Sequence, residues 1–395
     1  MKGVLRVAMG DAFSKALLIG INLYLIRHLE IDQYAHFTLL LNAMFLGYQL
    51  ACGPLERIYI AEYDKYRDHL PILQWVLSGV AALTCILWLW RDIAWTDVLL
   101  IIVGVFLLAS YQVLRIRLQQ RLDFTLFSLS DILKNGLWFT LLSLLFSVPF
   151  LPSGVSALLA MLGGAFISMS ILRWITKSRF PARQVNLSFS GGGRIFWEVR
   201  YIILYTMAGA LVPYLPIMMA TMIGGDEVNA TYGAAMRYQA ILGMVVFAVN
   251  AVLLPHMAVY GRGHSDQGLL WKHLARSAPW ALVLFAVAIL CVWWTIPYID
   301  GGKYPLLRQV FLILSIPPVL SLLGTPFVNM LLLDGRARAL LGCMSAGLAV
   351  NFFGYILLRP SQGFFAPAWA SLFAYATITV AVVLCECRKC LRPVR

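Results

Sequence analysis

Charge is scarce in this chain, and acidic charge is scarcest. Of 395 residues only 12% are Asp, Glu, Lys or Arg, with 18 acids against 31 bases. A water-soluble domain ordinarily carries roughly 25% charged residues, so a soluble fold is excluded. Phosphate-binding glycine loops are also missing. Gly191 to Gly193 lead into Arg194 without the Gly-Lys-Ser/Thr ending that cradles a nucleotide, which argues against a transport ATPase on this chain. Histidine is sparse and scattered: His28, His36, His69, His256, His264 and His273 fall at loops or span ends, and no pair has metal-ligand spacing. Nor does any Ser/His/Asp or Cys/His arrangement emerge. Four of the seven cysteines (Cys52, Cys85, Cys291 and Cys343) lie in apolar segments, and Cys385, Cys387 and Cys390 cluster near the end without a histidine beside them. Neither a metal site nor a disulfide is expected, and no cofactor. The short gaps leave no room for a catalytic domain outside the membrane.

What the chain has in abundance is apolar sequence, 61% of it. A helix needs about 20 apolar residues to cross a hydrocarbon core, because its backbone polar groups must be satisfied inside the segment. Twelve stretches of that kind are read, over 5–27, 34–57, 71–90, 97–115, 124–147, 153–174, 198–223, 229–257, 278–298, 306–333, 338–358 and 364–386. The first is read as a span and not a cleavable leader, since it is long and carries Asp11 and Lys15. Lys and Arg alternate with the gaps. Of the 31, 23 lie in one set of gaps and termini, and only Arg27, Arg91, Lys303, Arg308 and Arg359 lie in the other. Cytoplasmic loops carry that excess, so both termini are expected to be cytoplasmic, as on an inner membrane protein. A basic rim also accounts for the net charge of +13 without nucleic acid.

The longest polar gap is central, with Pro181 and a run ending at Gly193. The expected organisation is an N-terminal six-helix bundle over 1–176, a cytoplasmic linker over 177–197, a C-terminal six-helix bundle over 198–386, and a tail over 387–395. Six spans per half place both halves in the same orientation, as in parallel-repeat transporters. In the first half an acidic turn, Glu30 to Gln33, precedes Tyr34 and a span ending near Pro54. In the second, Gly225 to Val228 precede Tyr232 and a span ending near Pro255.

Ionisable residues inside spans are costly and default to functional candidates. On a helical period Asp11, Lys15 and Asn22 share one face of the first span, Asn42, Gln49 and Glu56 one face of the second, and Asp131, Lys134, Asn135 and Trp138 one face of the fifth. Three polar stripes are what an aqueous cavity requires. The plain alternatives are intrahelical ion pairs, Asp11 with Lys15 and Asp131 with Lys134, and interhelical hydrogen bonds from Asn42 and Gln49. Arg237 has no acid within four residues and is flanked by Gly233, Ala234 and Ala235. Its planar fork suits phosphate; a partner acid on another helix, Asp11 or Asp131, is the other reading. Prolines at 213, 216, 317, 318 and 326 are expected to break or kink two spans.

Ile26-Arg27-His28-Leu29 leading to Gln33-Tyr34-Ala35, Ala230-Thr231-Tyr232-Gly233-Ala234-Ala235-Met236-Arg237, and Asn250-Ala251-Val252-Leu253-Leu254-Pro255 together resemble the Wzx-type polysaccharide flippases of the MOP (multidrug/oligosaccharidyl-lipid/polysaccharide) exporter superfamily. Gln33 stands where that family usually has glycine. The resemblance implies an all-α polytopic membrane protein of about twelve transmembrane helices, in two six-helix bundles around a central cavity, working by alternating access. It implies a transporter, not an enzyme, whose substrate is an undecaprenyl-pyrophosphate-linked oligosaccharide of an O-antigen (lipopolysaccharide), capsule or exopolysaccharide. Membrane lipids, a polysaccharide polymerase and a chain-length regulator are the implied partners. Arg237, Lys15 and Lys134 would face the substrate, with Asn22, Asn42 and Gln49 for its sugars. Asp11 and Asp131 would serve coupling to a proton or sodium gradient. The rival readings are a drug or cation antiporter of the same superfamily and a membrane-embedded glycan-modifying enzyme.

Overall fold

The computed structural model describes the backbone of residues 2–66, 70–90, 93–120, 123–147, 153–176, 189–261 and 267–390; stretches chiefly within 2–12, 59–66, 189–195 and 244–281 are described by backbone alone. Every regular element among the described residues is helical. The helices are α1 (Lys2–His28), α2 (Ile31–Tyr66), α3 (Leu70–Leu89), α4 (Trp95–Gln120), α5 (Phe124–Phe146), α6 (Gly154–Thr176), α7 (Phe189–Leu211), α8 (Leu215–Ile223), α9 (Asp226–Gly261), α10 (Gln267–Asp300), α11 (Leu307–Leu333), α12 (Ala337–Gln362) and α13 (Ala366–Cys390). Because α7 and α8 form one span broken by a turn, the described residues hold twelve rods, one for each expected stretch. Among the described residues nine windows are long and apolar enough to cross a membrane, and the last of them, Ala337–Cys387, holds both α12 and α13. Helices and not strands follow from the solvent: in hydrocarbon each N–H and C=O must find its partner within its own segment.

Several helices outrun the bilayer. At 36 residues each, α2 and α9 reach about 54 Å, against a hydrocarbon core of about 30 Å. These are the second rods of the two halves, and their equal length accords with the repeat. Each helix continues past the proline near which its span is expected to end, the apolar span of α2 running over Ile31–Ile58. Pro54 lies inside α2, and α9 runs on past residue 255 to Gly261. Positive backbone angles mark the stop between α8 and α9, where Gly224 and Gly225 take φ of 87° and 92°, a region glycine enters without strain.

The chain packs as two units, residues 1–211 and 212–395. Their boundary falls at the 3₁₀ turn Val212–Tyr214, where Pro213 interrupts the seventh rod and Pro216 opens α8. Residues 189–197 are already helical, and 177–188 lie outside the described residues. In the first unit α2 packs against α3, α4, α6 and α7, while α5 packs against α1 and α6. The α5–α6 approach is close enough that a Cβ on Gly164 would lie 2.8 Å from the Trp138 nitrogen and 3.1 Å from the Lys134 carbonyl oxygen. Small residues permit this in membranes, where van der Waals contact drives helix association. His36 on α2 meets the Asp97 carboxylate at 3.1 Å, and the same oxygen accepts from the Ala94 nitrogen at 3.1 Å, pinning the start of α4 to α2.

In the second unit α11 packs against α9, α10 and α13, and α13 against α12 and α8. Unlike the seventh rod, α11 stays helical through Pro317, Pro318 and Pro326 and is not broken there. A proline at 318 removes the N–H that would bond the carbonyl of Leu314. Gln239 of α9 supplies the missing donor, its amide nitrogen 2.8 Å from that oxygen. Gln239→Leu should therefore lower stability by about 1–3 kcal/mol, the cost of an unsatisfied buried acceptor. Pro318→Ala in the same chain restores the backbone donor and should recover most of the loss. Thermal unfolding of the purified single and double variants checks this; equal losses in both would contradict it.

Candidate functional site

The functional candidates of the first unit converge on α5. Asp123 caps it, its carboxylate accepting from the Leu126 nitrogen at 3.2 Å, and fixes where the following turns point. Asp131 is the eighth residue of the helix, about 10 Å along it at 1.5 Å per residue. Its carboxylate is ion-paired with the Arg115 guanidinium of α4, and its other oxygen lies 3.7 Å from Lys134 Nζ. Arg115 uses its whole fork: Nε donates to Ser130 Oγ at 3.2 Å, one terminal nitrogen donates to Gln112 at 3.0 Å, and the other meets Asp131. The guanidinium also lies 4.5 Å from the centre of the Phe127 ring. Lys134 sits over the Tyr111 ring at 5.2 Å. Two cations thus surround one acid, in a setting only partly closed: the side chains of Arg115, Asp131 and Lys134 are 13%, 15% and 25% exposed.

Other helices of this unit complete the surroundings. Tyr48 of α2 lies within electrostatic range of both Arg115 and Asp131, and Gln49 beside it is half-buried. Ser168 of α6 is buried against α5, its hydroxyl 3.5 Å from the Ser130 carbonyl. One turn past Asp131, the Asn135 amide donates to the carbonyl and hydroxyl of Ser14 on α1, at 3.0 and 2.9 Å. Buried polar groups with partners fix register between helices.

The structure brings some of the named residues together and leaves others apart. Lys134 and Asp131 stand in the cluster, as does Asn135. Lys15 is half-buried on α1, one residue beyond the Ser14 contact. Asn22 is buried, its amide nitrogen donating to the Leu18 carbonyl at 2.7 Å within its own helix. Asn42 is fully enclosed within the first unit. The side chain of Asp11 lies outside the described residues.

Arg237 belongs to the second unit, half-buried on α9 beside Ala234 and Ala235, which are both fully buried. Tyr238 next to it packs edge-on against Phe311 of α11 and lies in range of Asp300. Asp300, buried at the end of α10, accepts from the Gly302 nitrogen at 3.0 Å. Arg308 lies 3.5 Å from the Trp293 ring centre. On α12 Asn351 is fully buried, and neither atom of its amide has a hydrogen-bond partner among the described residues.

Two contributors escaped the sequence reading. Arg115 reads as a loop base at the end of its span, whereas α4 continues to Gln120. Its signal was the Asp131 that needed a partner beyond Lys134. Asn351 stands out as a lone amide in an apolar run, a signal that periodicity alone does not raise.

No protein-family model matches the sequence, and no curated protein matches it. Solved structures do. The fold is similar to an inward-facing multidrug resistance MATE family transporter of the MOP superfamily, at TM-score 0.65 and 16% identity over 95% of this chain and 94% of that one. It is similar to a mutant of a Vibrio cholerae MATE transporter at TM-score 0.60 and 16% identity, covering 100% and 97%. An outward-facing MATE family structure gives TM-score 0.59 and 15% identity, covering 98% and 95%. The chain therefore has the helical fold of these transporters.

If the Arg115–Asp131 pair is the energetic core of the cluster, its members are coupled. Arg115→Gln and Asp131→Asn should each lower thermal stability, and the double variant should lose less than their sum. The expected coupling is about 0.5–3 kcal/mol, below the roughly 3–5 kcal/mol of breaking a sealed pair because the protein does not wholly cover these side chains. A thermal double-mutant cycle measures it, and additive losses would count against the pair.

Proposed function

We propose that this chain is a transporter that flips a pyrophosphate-linked polyprenyl oligosaccharide, of the O-antigen, capsule or exopolysaccharide type, across the bacterial inner membrane. The observation that carries the reading is the balance of charge at Asp131. The carboxylate is held by Arg115 and approached by Lys134, so the cluster is net positive. An anionic headgroup cannot cross hydrocarbon bare, because desolvating its charge is prohibitive. Fixed cations inside the protein remove that barrier, and the lipid tail can stay in the bilayer. Arg237 and Lys15 supply further positive charge on α9 and α1. The polar side chains Gln49, Asn22 and Asn42 would serve the sugars, Asn42 only after the helices around it move.

Alternating access is supported by the fold, since the similar structures include inward-facing and outward-facing forms. Coupling to a proton or sodium gradient through Asp11 or Asp131 belongs to the same proposal, as do cytoplasmic termini and a working link to a polymerase and a chain-length regulator. A second reading, a drug or cation antiporter, is favoured by the multidrug description of those same structures. A cationic substrate would have to compete with Arg115 and Lys134 for the carboxylate.

Cells lacking the flippase of such a glycan pathway accumulate lipid-linked oligosaccharide on the cytoplasmic side. Expression of this chain should restore surface glycan and clear that intermediate, and Arg237→Ala or Lys15→Ala should reduce the rescue at least tenfold. Failure to rescue together with resistance to cationic dyes would favour the antiporter reading instead.

A further inference from the structure

We infer that Arg115 and Lys134 form a phosphate-binding site within the first unit, and that Asp131 occupies it as an internal stand-in for the phosphate when no substrate is bound. This inference rests on the flippase reading and names the residues that would take the headgroup. The geometry is that of an anion site already assembled. Arg115 is held by Ser130, Gln112 and the Phe127 ring, so its remaining nitrogen points at one fixed place. The Asp131 carboxylate fills that place, much as one edge of a phosphate would in a charge-assisted pair with a guanidinium. Lys134 is less occupied. Its ammonium has three donors, and it makes one ion pair at 3.7 Å and one ring contact, leaving donors for a second oxygen. Ser130 and Tyr111 border the same spot, and the site keeps partial exposure through which a headgroup could enter.

A pyrophosphate headgroup, with one negative charge on each of its two phosphates, outbids a single carboxylate for two cations. It would take over both contacts, and Asp131 would turn aside into the exposed part of the site. The α4–α5 ion pair would open on loading, so substrate entry and helix movement would be linked. Because Asp131 competes with the ligand, removing its charge should tighten binding, whereas removing either cation should weaken it.

The test uses the purified full-length protein in nanodiscs, with binding followed by calorimetry and folding by thermal unfolding. Inorganic pyrophosphate and a short polyprenyl pyrophosphate serve as separate probes, to distinguish free phosphate from a lipid headgroup. Asp131→Asn should bind both at least fivefold more tightly than the wild type. Arg115→Gln and Lys134→Gln should each bind at least tenfold more weakly, also when combined with Asp131→Asn. If only the lipid probe follows this order, the site takes the headgroup and not the free ion. Unchanged affinity in folded Asp131→Asn and folded Lys134→Gln would overturn the inference, even if Arg115→Gln fails to fold. This failure would leave glycan rescue in cells intact, and failure of rescue would leave the binding order intact.

Discussion

The absence of water in the bilayer core is the constraint on which the rest of this structure depends. A buried polar group is costly without a partner in the protein, and the chain meets much of that cost at three levels. Along each rod the backbone satisfies itself by being helical. Where proline deletes a backbone donor at position 318, the side chain of Gln239 replaces it from the neighbouring helix. Where charge enters the interior, Arg115, Asp131 and Lys134 neutralise most of one another. Each solution ties one helix to another, so polar residues carry much of the specificity in a protein whose composition is mainly apolar.

The first unit shows how packing makes such a cluster usable. Gly164 lets α6 come against α5 at Lys134 and Trp138, and the Asn135–Ser14 hydrogen bonds hold α1 against the same helix. Between those fixed contacts the charged side chains keep part of their surface uncovered by protein. A fully sealed triad would be a structural element and nothing more, and a fully solvated one would have little energy to give. The intermediate case is the one in which an external anion can exchange with an internal one.

Much of the architecture was legible in the sequence because hydropathy and the distribution of Lys and Arg report directly on the membrane. Each of the twelve stretches matches a rod. The helix ends were not legible, since the polar extension of α2 to Tyr66 looks like loop to a hydropathy reading. Proline marked the break at Pro213, where the chain also divides, whereas α11 stays helical through its three prolines and Gln239 answers one missing donor. The face shared by Asp131, Lys134 and Asn135 was legible from the 3.6-residue period. Their partners were not, because Arg115 and Ser14 are brought in by tertiary packing across 16 and 121 residues. For the same reason periodicity could assign Asn42 and Gln49 to one polar stripe but could not say that Asn42 is enclosed while Gln49 is half-buried.

The similar structures carry the fold across nearly the whole chain at low identity, so the substrate has to be argued from side chains. The net positive charge of Arg115, Asp131 and Lys134 favours an anionic one. The most direct measurement is transport itself. Proteoliposomes are loaded with a polyprenyl-pyrophosphate oligosaccharide in both leaflets, and lectin added outside reports the accessible fraction. Wild-type protein should bring that fraction from about half towards completeness while leaving a cationic dye trapped. A fraction fixed at the protein-free level, with the dye released, would contradict the account.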